Sequence, residues 1–298
     1  MAINTAVSST RAAQEPFTTG SVISQDGTTI GYRQLGHGPG VVLLHGAFES
    51  AQSHMQLAEA LADTYTVTLP DRRGRGLSGP YSHDYSITQD VEDMEALLAK
   101  TGAHFVFGIS SGAVIWLHAA LTLTSIHKAA LYEPPMSING SLDFAWVARY
   151  ESEMSKGKVA SAMVAAMKGA QMGPPIFNAI PNWLLARLTD MMMNSEDTKA
   201  TGDDITMRKL APTFHYDGQL VVQLDGALDR FKAIQAEVLL LGGSTSPAYL
   251  KAALVALEKV LPRATRIEFP GLGHGGSGNS DRGGKPEVVA QALREFFA

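Results

Sequence analysis

The chain of 298 residues contains no cysteine. That excludes disulfides, thiolate catalysis and cysteine-ligated metal sites. It has no run of about 18 apolar residues, so no membrane-spanning helix is expected. It also lacks a basic surplus. Lys plus Arg is 24 against 29 Asp plus Glu, a net charge of −5, with a pI near 6.0. A nucleic-acid module normally gathers positive charge on one face, so that class is disfavoured. No 20–50-residue repeat is visible, which argues against solenoids. Charged residues are only 18% and hydrophobic residues 45%, so a disordered chain is excluded.

What the chain has in quantity is glycine, 29 residues, and methionine, 12 residues. Residues 1–17 read as a polar leader without the apolar core of a secretory signal. Beyond it, short β-rich runs alternate with longer helical ones. Ser21–Ser24 and Thr28–Gln34 flank the turn signal Gln25-Asp26-Gly27. Strands are expected at Val41–Leu44, Tyr65–Leu69, Phe105–Phe107, Lys128–Tyr132, Glu237–Leu241 and Thr265–Phe269. Helices are expected at 51–62, 87–100, 111–123, 248–260 and 286–297. Residues 137–230 look helical and carry no convincing strand, with Asn194–Asp204 as a polar surface loop. Strand–helix alternation implies parallel pairing with right-handed crossovers. The expected organisation is therefore one α/β core, 18–136 and 231–298, interrupted by a helical cap at 137–230.

The strongest chemical signal is Gly108-Ile109-Ser110-Ser111-Gly112, between an expected strand and an apolar helix. A nucleophile elbow needs that setting, and the helix start points free N–H groups at the serine. Ser111 is the competing hydroxyl, but its place inside the helix start favours Ser110. Serine needs a base. Of nine histidines, His274 lies in a glycine-rich loop after the last strand, where a parallel sheet places reactive groups. His104 precedes the elbow strand, at its wrong end, and His118 falls within a helix. His37, His54, His83, His127 and His215 carry no supporting motif.

Three further pieces complete a pattern: His45-Gly46-Ala47 after the third strand, Asp71–Ser78 after the fourth, and the helical stretch after the sixth. In this order with Ser110 and His274, the chain resembles an α/β-hydrolase from about residue 20 to its end. The resemblance implies a mostly parallel, doubly wound sheet with an inserted helical cap. It implies oxyanion donors at the backbone of Ala47 and Ser111. It assigns Asp71–Ser78 a structural role, with Asp71 capping and the arginines paired.

The family most often carries its acid after the seventh strand, where this chain reads Leu241-Gly242-Gly243-Ser244-Thr245-Ser246-Pro247, without Asp or Glu. The other family location, after the sixth strand, offers Glu133. The expected set is therefore Ser110, Glu133 and His274, similar to zearalenone-type lactonases, with Asp225 and Asp229 as fallback acids. Haloalkane dehalogenases and epoxide hydrolases of this fold use an Asp nucleophile, so Ser110 disfavours both activities.

Eight of the twelve methionines lie in 137–230. Methionine adapts its shape, so an apolar cap there points to a bulky hydrophobic small molecule. Phe48, Met154, Trp183 and Tyr216 are the expected substrate contacts. The resulting expectation is serine-dependent hydrolysis of an ester or lactone. The alternative is a receptor-like or non-hydrolytic member of the fold, a lyase or C–C hydrolase. No cofactor, no metal and no nucleic-acid partner are expected, and the location expected is cytoplasmic. A homodimer is left open.

Overall fold

The structure is a computed structural model, and it describes residues 17–298 except 174, 203 and 225. Most of the expected leader, 1–17, and the fallback acid Asp225 thus lie outside the described residues.

Eight strands form one sheet: β1 (Thr18–Ile23), β2 (Thr29–Gly36), β3 (Gly40–Leu44), β4 (Thr66–Pro70), β5 (Phe105–Ile109), β6 (Lys128–Tyr132), β7 (Glu237–Gly243) and β8 (Ala264–Phe269). Their spatial order is β1-β2-β4-β3-β5-β6-β7-β8. The β1–β2 and β2–β4 pairs are antiparallel, and every pair from β4 to β8 is parallel. β3, β5, β6 and β7 are almost wholly buried. Covered on both faces, these strands read as apolar runs instead of alternating ones.

Helices α1 (Met55–Leu61), α2 (Ile87–Thr101) and α3 (Ser111–Thr122) connect the first strands. Between β6 and β7 the chain makes α4 (Ala145–Ser155), α5 (Val159–Gly169), α6 (Asn182–Lys199), α7 (Met207–Leu210) and α8 (Phe214–Gln223), and no strand among the described residues. α9 (Ala248–Val260) and α10 (Pro286–Phe297) complete the core. One apolar cluster packs α2, α3 and α9 on one face of the sheet. A second packs α1 and α10 on the other. α3 is buried from Ser111 to Ala119, which is why its sequence is apolar all round.

One expectation is corrected. Asn194–Lys199 is not a loop but the last turns of α6. Thr198 Oγ1 donates to the Asn194 carbonyl, and Arg208 ties Asp190, Asn194 and Asp197 together. A polar sequence stays helical there because Asn194, Glu196, Asp197 and Thr198 find partners one turn away or on α7.

The helical insertion is seated on the core by two kinds of contact. Phe48, in the loop after β3, stacks on Phe214 of α8 with ring centroids 4.3 Å apart. Asp217 of α8 receives Arg72 Nη1 at 2.6 Å and Arg75 Nη2 at 2.5 Å, and all three side chains are buried. Burial pushes the Asp217 carboxyl up, but the Arg75 and Arg72 guanidinium groups outweigh burial and hold it below the usual range.

Its folded pKa therefore lies under the unfolded value of about 3.9. The stability it contributes is complete above that value and is lost as the pH falls through the depressed folded value. The melting temperature of the wild type should fall more steeply than that of Asp217→Asn between about pH 5 and pH 3. Parallel acid limbs in thermal melts would contradict this assignment.

Candidate active site

Ser110 sits between β5 and α3 with φ 54° and ψ −125°. Its backbone N–H donates to the Tyr132 carbonyl at 2.9 Å, and its carbonyl accepts the first helical N–H, from Val114. A non-glycine residue in that conformation stores strain of order 1–3 kcal/mol and persists only where its surroundings impose it. The flanking glycines are part of those surroundings. A Cβ on Gly108 would lie 2.6 Å from Trp116 Cδ1 and 2.7 Å from the Gly112 carbonyl. A Cβ on Gly112 would lie 2.5 Å from both the His45 and the Leu44 carbonyl oxygens. The helix start and the end of β3 therefore touch backbone to backbone. Ala47 and Ser111, whose N–H groups are the expected oxyanion donors, line one small chamber with Ser110.

Glu133 follows β6, also at positive φ, 47°. Its side chain is 0% exposed. A buried carboxylate is costly unless its oxygens are satisfied. Here Oε1 accepts from Gly243 N–H at 2.7 Å, and Oε2 accepts from His274 Nδ1 at 2.8 Å. The end of β7, where the resemblance leads one to expect an acid, thus supplies an N–H to the carboxylate arriving from β6. Gly242 packs closely beside it: a Cβ there would stand 2.6 Å from Leu254 Cδ1 and 2.9 Å from Glu133 Oε1. Ser246, in the same loop, is buried, and its hydroxyl has no hydrogen-bond partner among the described residues.

His274 lies in the loop after β8, with its side chain 22% exposed. Tyr132 OH donates to the Gly273 carbonyl at 2.7 Å and pins the loop. Ser110 and His274 both line a cavity of about 570 Å³ together with Ala47, Ile109, Met167, Lys168, Met172, Phe177 and Leu250. A smaller chamber of about 30 Å³ shares Ala47, Ser110 and His274, and adds Ser111, Leu142, Trp146 and Asp217. Among the described residues Ser110 makes no hydrogen bond to His274. Such bonds are often long before substrate arrives.

Other expected residues stand elsewhere. Asp229 is exposed and paired with Lys232. Of the four expected substrate contacts, none lines either chamber. Phe48 is buried against Phe214. Met154 packs inside the insertion. Tyr216 stacks on Tyr81 at 3.6 Å. Trp183 is 69% exposed on α6. The residues that do line the cavity from the insertion include the apolar Met167, Met172 and Phe177 and the polar Lys168, Gln171 and Asn178. Asp71 accepts from Ala51 N–H, Leu77 N–H and Arg33, closing its own loop.

Sequence reasoning missed Glu49. Its Oε2 accepts from Gly46 N–H at 2.7 Å and faces His54 Nε2 at 3.1 Å, and the residue lines the cavity beside Ser110. Burial pushes its carboxyl up, yet His54 and the Gly46 N–H hold it below the usual range. No motif marks this residue. Only the folding of the loop after β3 brings it to the site. Among the described residues no group of three or more His, Asp or Glu side chains converges as a metal site.

A serine on a strand-to-helix elbow, faced by a histidine after the last strand, defines the α/β-hydrolase class of fold and site. The sequence matches the alpha/beta hydrolase family over residues 41–292, and the chain belongs to that family. It is 35% identical over 113 residues to the protein named "Uncharacterized hydrolase YraK" of Bacillus subtilis, a match covering 36% of this chain and 42% of that protein. It is 34% identical over 109 residues to a pimeloyl-[acyl-carrier protein] methyl ester esterase of Xanthomonas campestris, again 36% of this chain and 42% of the other. The matched segment thus spans about two fifths of those relatives. An α/β hydrolase from Sphaerobacter thermophilus superposes with a TM-score of 0.76 at 29% identity, over 94% of this chain and 100% of that one.

The Gly112→Ala variant should lose about 1–3 kcal/mol of stability in urea denaturation, because the clash is with backbone that no rotamer change relieves. A midpoint equal to wild type would show that the elbow relaxes freely.

Proposed function

We propose that this protein hydrolyses an ester or lactone bond in a hydrophobic small molecule through an acyl-enzyme on Ser110. The observation that carries the reading is the 2.8 Å contact between His274 Nδ1 and the fully buried Glu133, at a loop facing Ser110 across one cavity. With Nδ1–H committed to Glu133, Nε2 is left unprotonated and able to accept a proton. In the proposed reaction Ser110 Oγ attacks the acyl carbon while its proton passes to His274 Nε2. The carbonyl π pair moves onto oxygen, which the N–H groups of Ala47 and Ser111 receive. Collapse re-forms the carbonyl and expels the alkoxide, which takes the proton from His274. Water, deprotonated by the same nitrogen, then releases the acid and restores Ser110. Glu133 holds the tautomer and offsets the imidazolium charge without taking a proton.

Met167, Met172, Phe177, Ile109 and Leu250 in the cavity wall support an apolar substrate. The family membership supports hydrolysis, and the likeness to a methyl ester esterase supports an ester as the bond.

The test is a fluorophosphonate probe together with p-nitrophenyl butyrate. Wild type should be labelled on Ser110 and turn over the ester, and Ser110→Ala should do neither. Glu133→Gln should lower kcat by up to about 10⁴-fold. Turnover by Ser110→Ala equal to wild type would defeat the reading. A large kcat loss in Asp225→Asn with Glu133→Gln unaffected would defeat the choice of acid.

A further inference from the structure

We infer that Arg72 is the positioning residue of the oxyanion hole, bracing both of its donor segments and tying them to the helical insertion through Asp217. The inference rests on the hydrolase reading above and assigns a role to a loop otherwise taken as structural.

Three contacts converge on this one buried residue. Its backbone N–H donates to His45 Nε2 at 3.1 Å. Its Nη1 donates to Ser111 Oγ at 3.0 Å. The same Nη1 donates to Asp217 Oδ1 at 2.6 Å. His45 begins the loop that carries Ala47, and its Nδ1 faces the Gly46 carbonyl at 3.0 Å. Accepting on Nε2 and donating from Nδ1, His45 is the neutral tautomer. Burial, with Arg75 and Arg72 nearby, holds its pKa well below the usual value, in agreement with that tautomer. Ser111 carries the other expected donor on its own backbone nitrogen. Arg72 therefore grips one oxyanion segment through a ring and the other through a hydroxyl.

Oxyanion stabilisation depends on donors fixed before the reaction, and small displacements forfeit much of it. Asp217 fixes the guanidinium in turn, with Arg75 Nη2 held on its second oxygen. Asp217 belongs to α8 and lines the small chamber with Ser110, Ser111 and His274. The seating of the insertion and the geometry of the oxyanion hole thus share one ion pair.

Ser111→Ala removes the gripped hydroxyl and leaves the N–H in place. For p-nitrophenyl butyrate its kcat should fall about tenfold or more, with KM within about threefold of wild type. Affinity for a trifluoromethyl ketone, whose adduct presents the oxyanion, should weaken by the same factor as kcat. Asp217→Asn should show the same split, and the double variant should lose less than the product of the two single effects.

An unchanged kcat in both single variants overturns the inference, even where the melting temperature falls, since that is the signature of a purely structural brace. A rise in KM alone overturns it too. Fluorophosphonate labelling of wild-type Ser110 separates the failures. If wild type is unlabelled, the hydrolase reading falls and takes the inference with it. If wild type is labelled and both variants keep full kcat, the inference falls alone.

Discussion

The contact on which the site is built is the buried Glu133 carboxylate held between Gly243 N–H and His274 Nδ1. It joins the ends of β6 and β7 to the loop after β8. An isolated carboxylate in such a place would be several kcal/mol unfavourable, so everything around it is shaped to satisfy it. Two consecutive glycines end β7 because a Cβ on Gly242 would press on the carboxyl and one on Gly243 would strike the Leu272 carbonyl at 2.2 Å. Glu133 accepts a strained φ because its backbone N–H still bonds the Leu241 carbonyl. Under the proposed reading, the absence of an aspartate after β7 leaves no gap in the site. Its place is taken by the side chain arriving from the neighbouring strand.

How much of this was legible in the sequence follows from range. The elbow is local: Gly108, Ser110 and Gly112 fall within five residues, and the strand and helix on either side are strongly patterned. The order of strands and helices was readable for the same reason. Pairing Glu133 with His274 needed the strand order, which the family resemblance supplied and periodicity could not. Glu49 and Asp217 were not legible. Their places depend on a folded loop and on how α8 docks, 145 residues along the chain from Arg72.

The insertion shows the limit most clearly. Composition identified the segment as rich in methionine and aromatic residues, but not which face each residue occupies. Met167 and Met172 line the cavity, Met154, Met163, Met193 and Met207 pack inside the insertion, and Met191 and Met192 are exposed. A helix of mixed sequence leaves its rotation undecided until it docks. Trp183 and Tyr216 were read as substrate contacts on composition alone, and docking turned one to solvent and the other onto Tyr81.

The same docking sets the character of the cavity. Its wall is mainly apolar, yet Lys168 and Glu49 both stand in it. Lys168 is held by the Ile180 carbonyl at 2.8 Å, and Glu49 by Gly46 N–H and His54. Each charge thus already has a hydrogen-bond partner before any ligand arrives. The two chambers that meet at Ser110 differ in volume, about 570 against about 30 Å³. Ser110 therefore has much more open space on one side than on the other. Since Asp217 forms part of the smaller wall, the residue that seats the insertion also limits what can occupy that side.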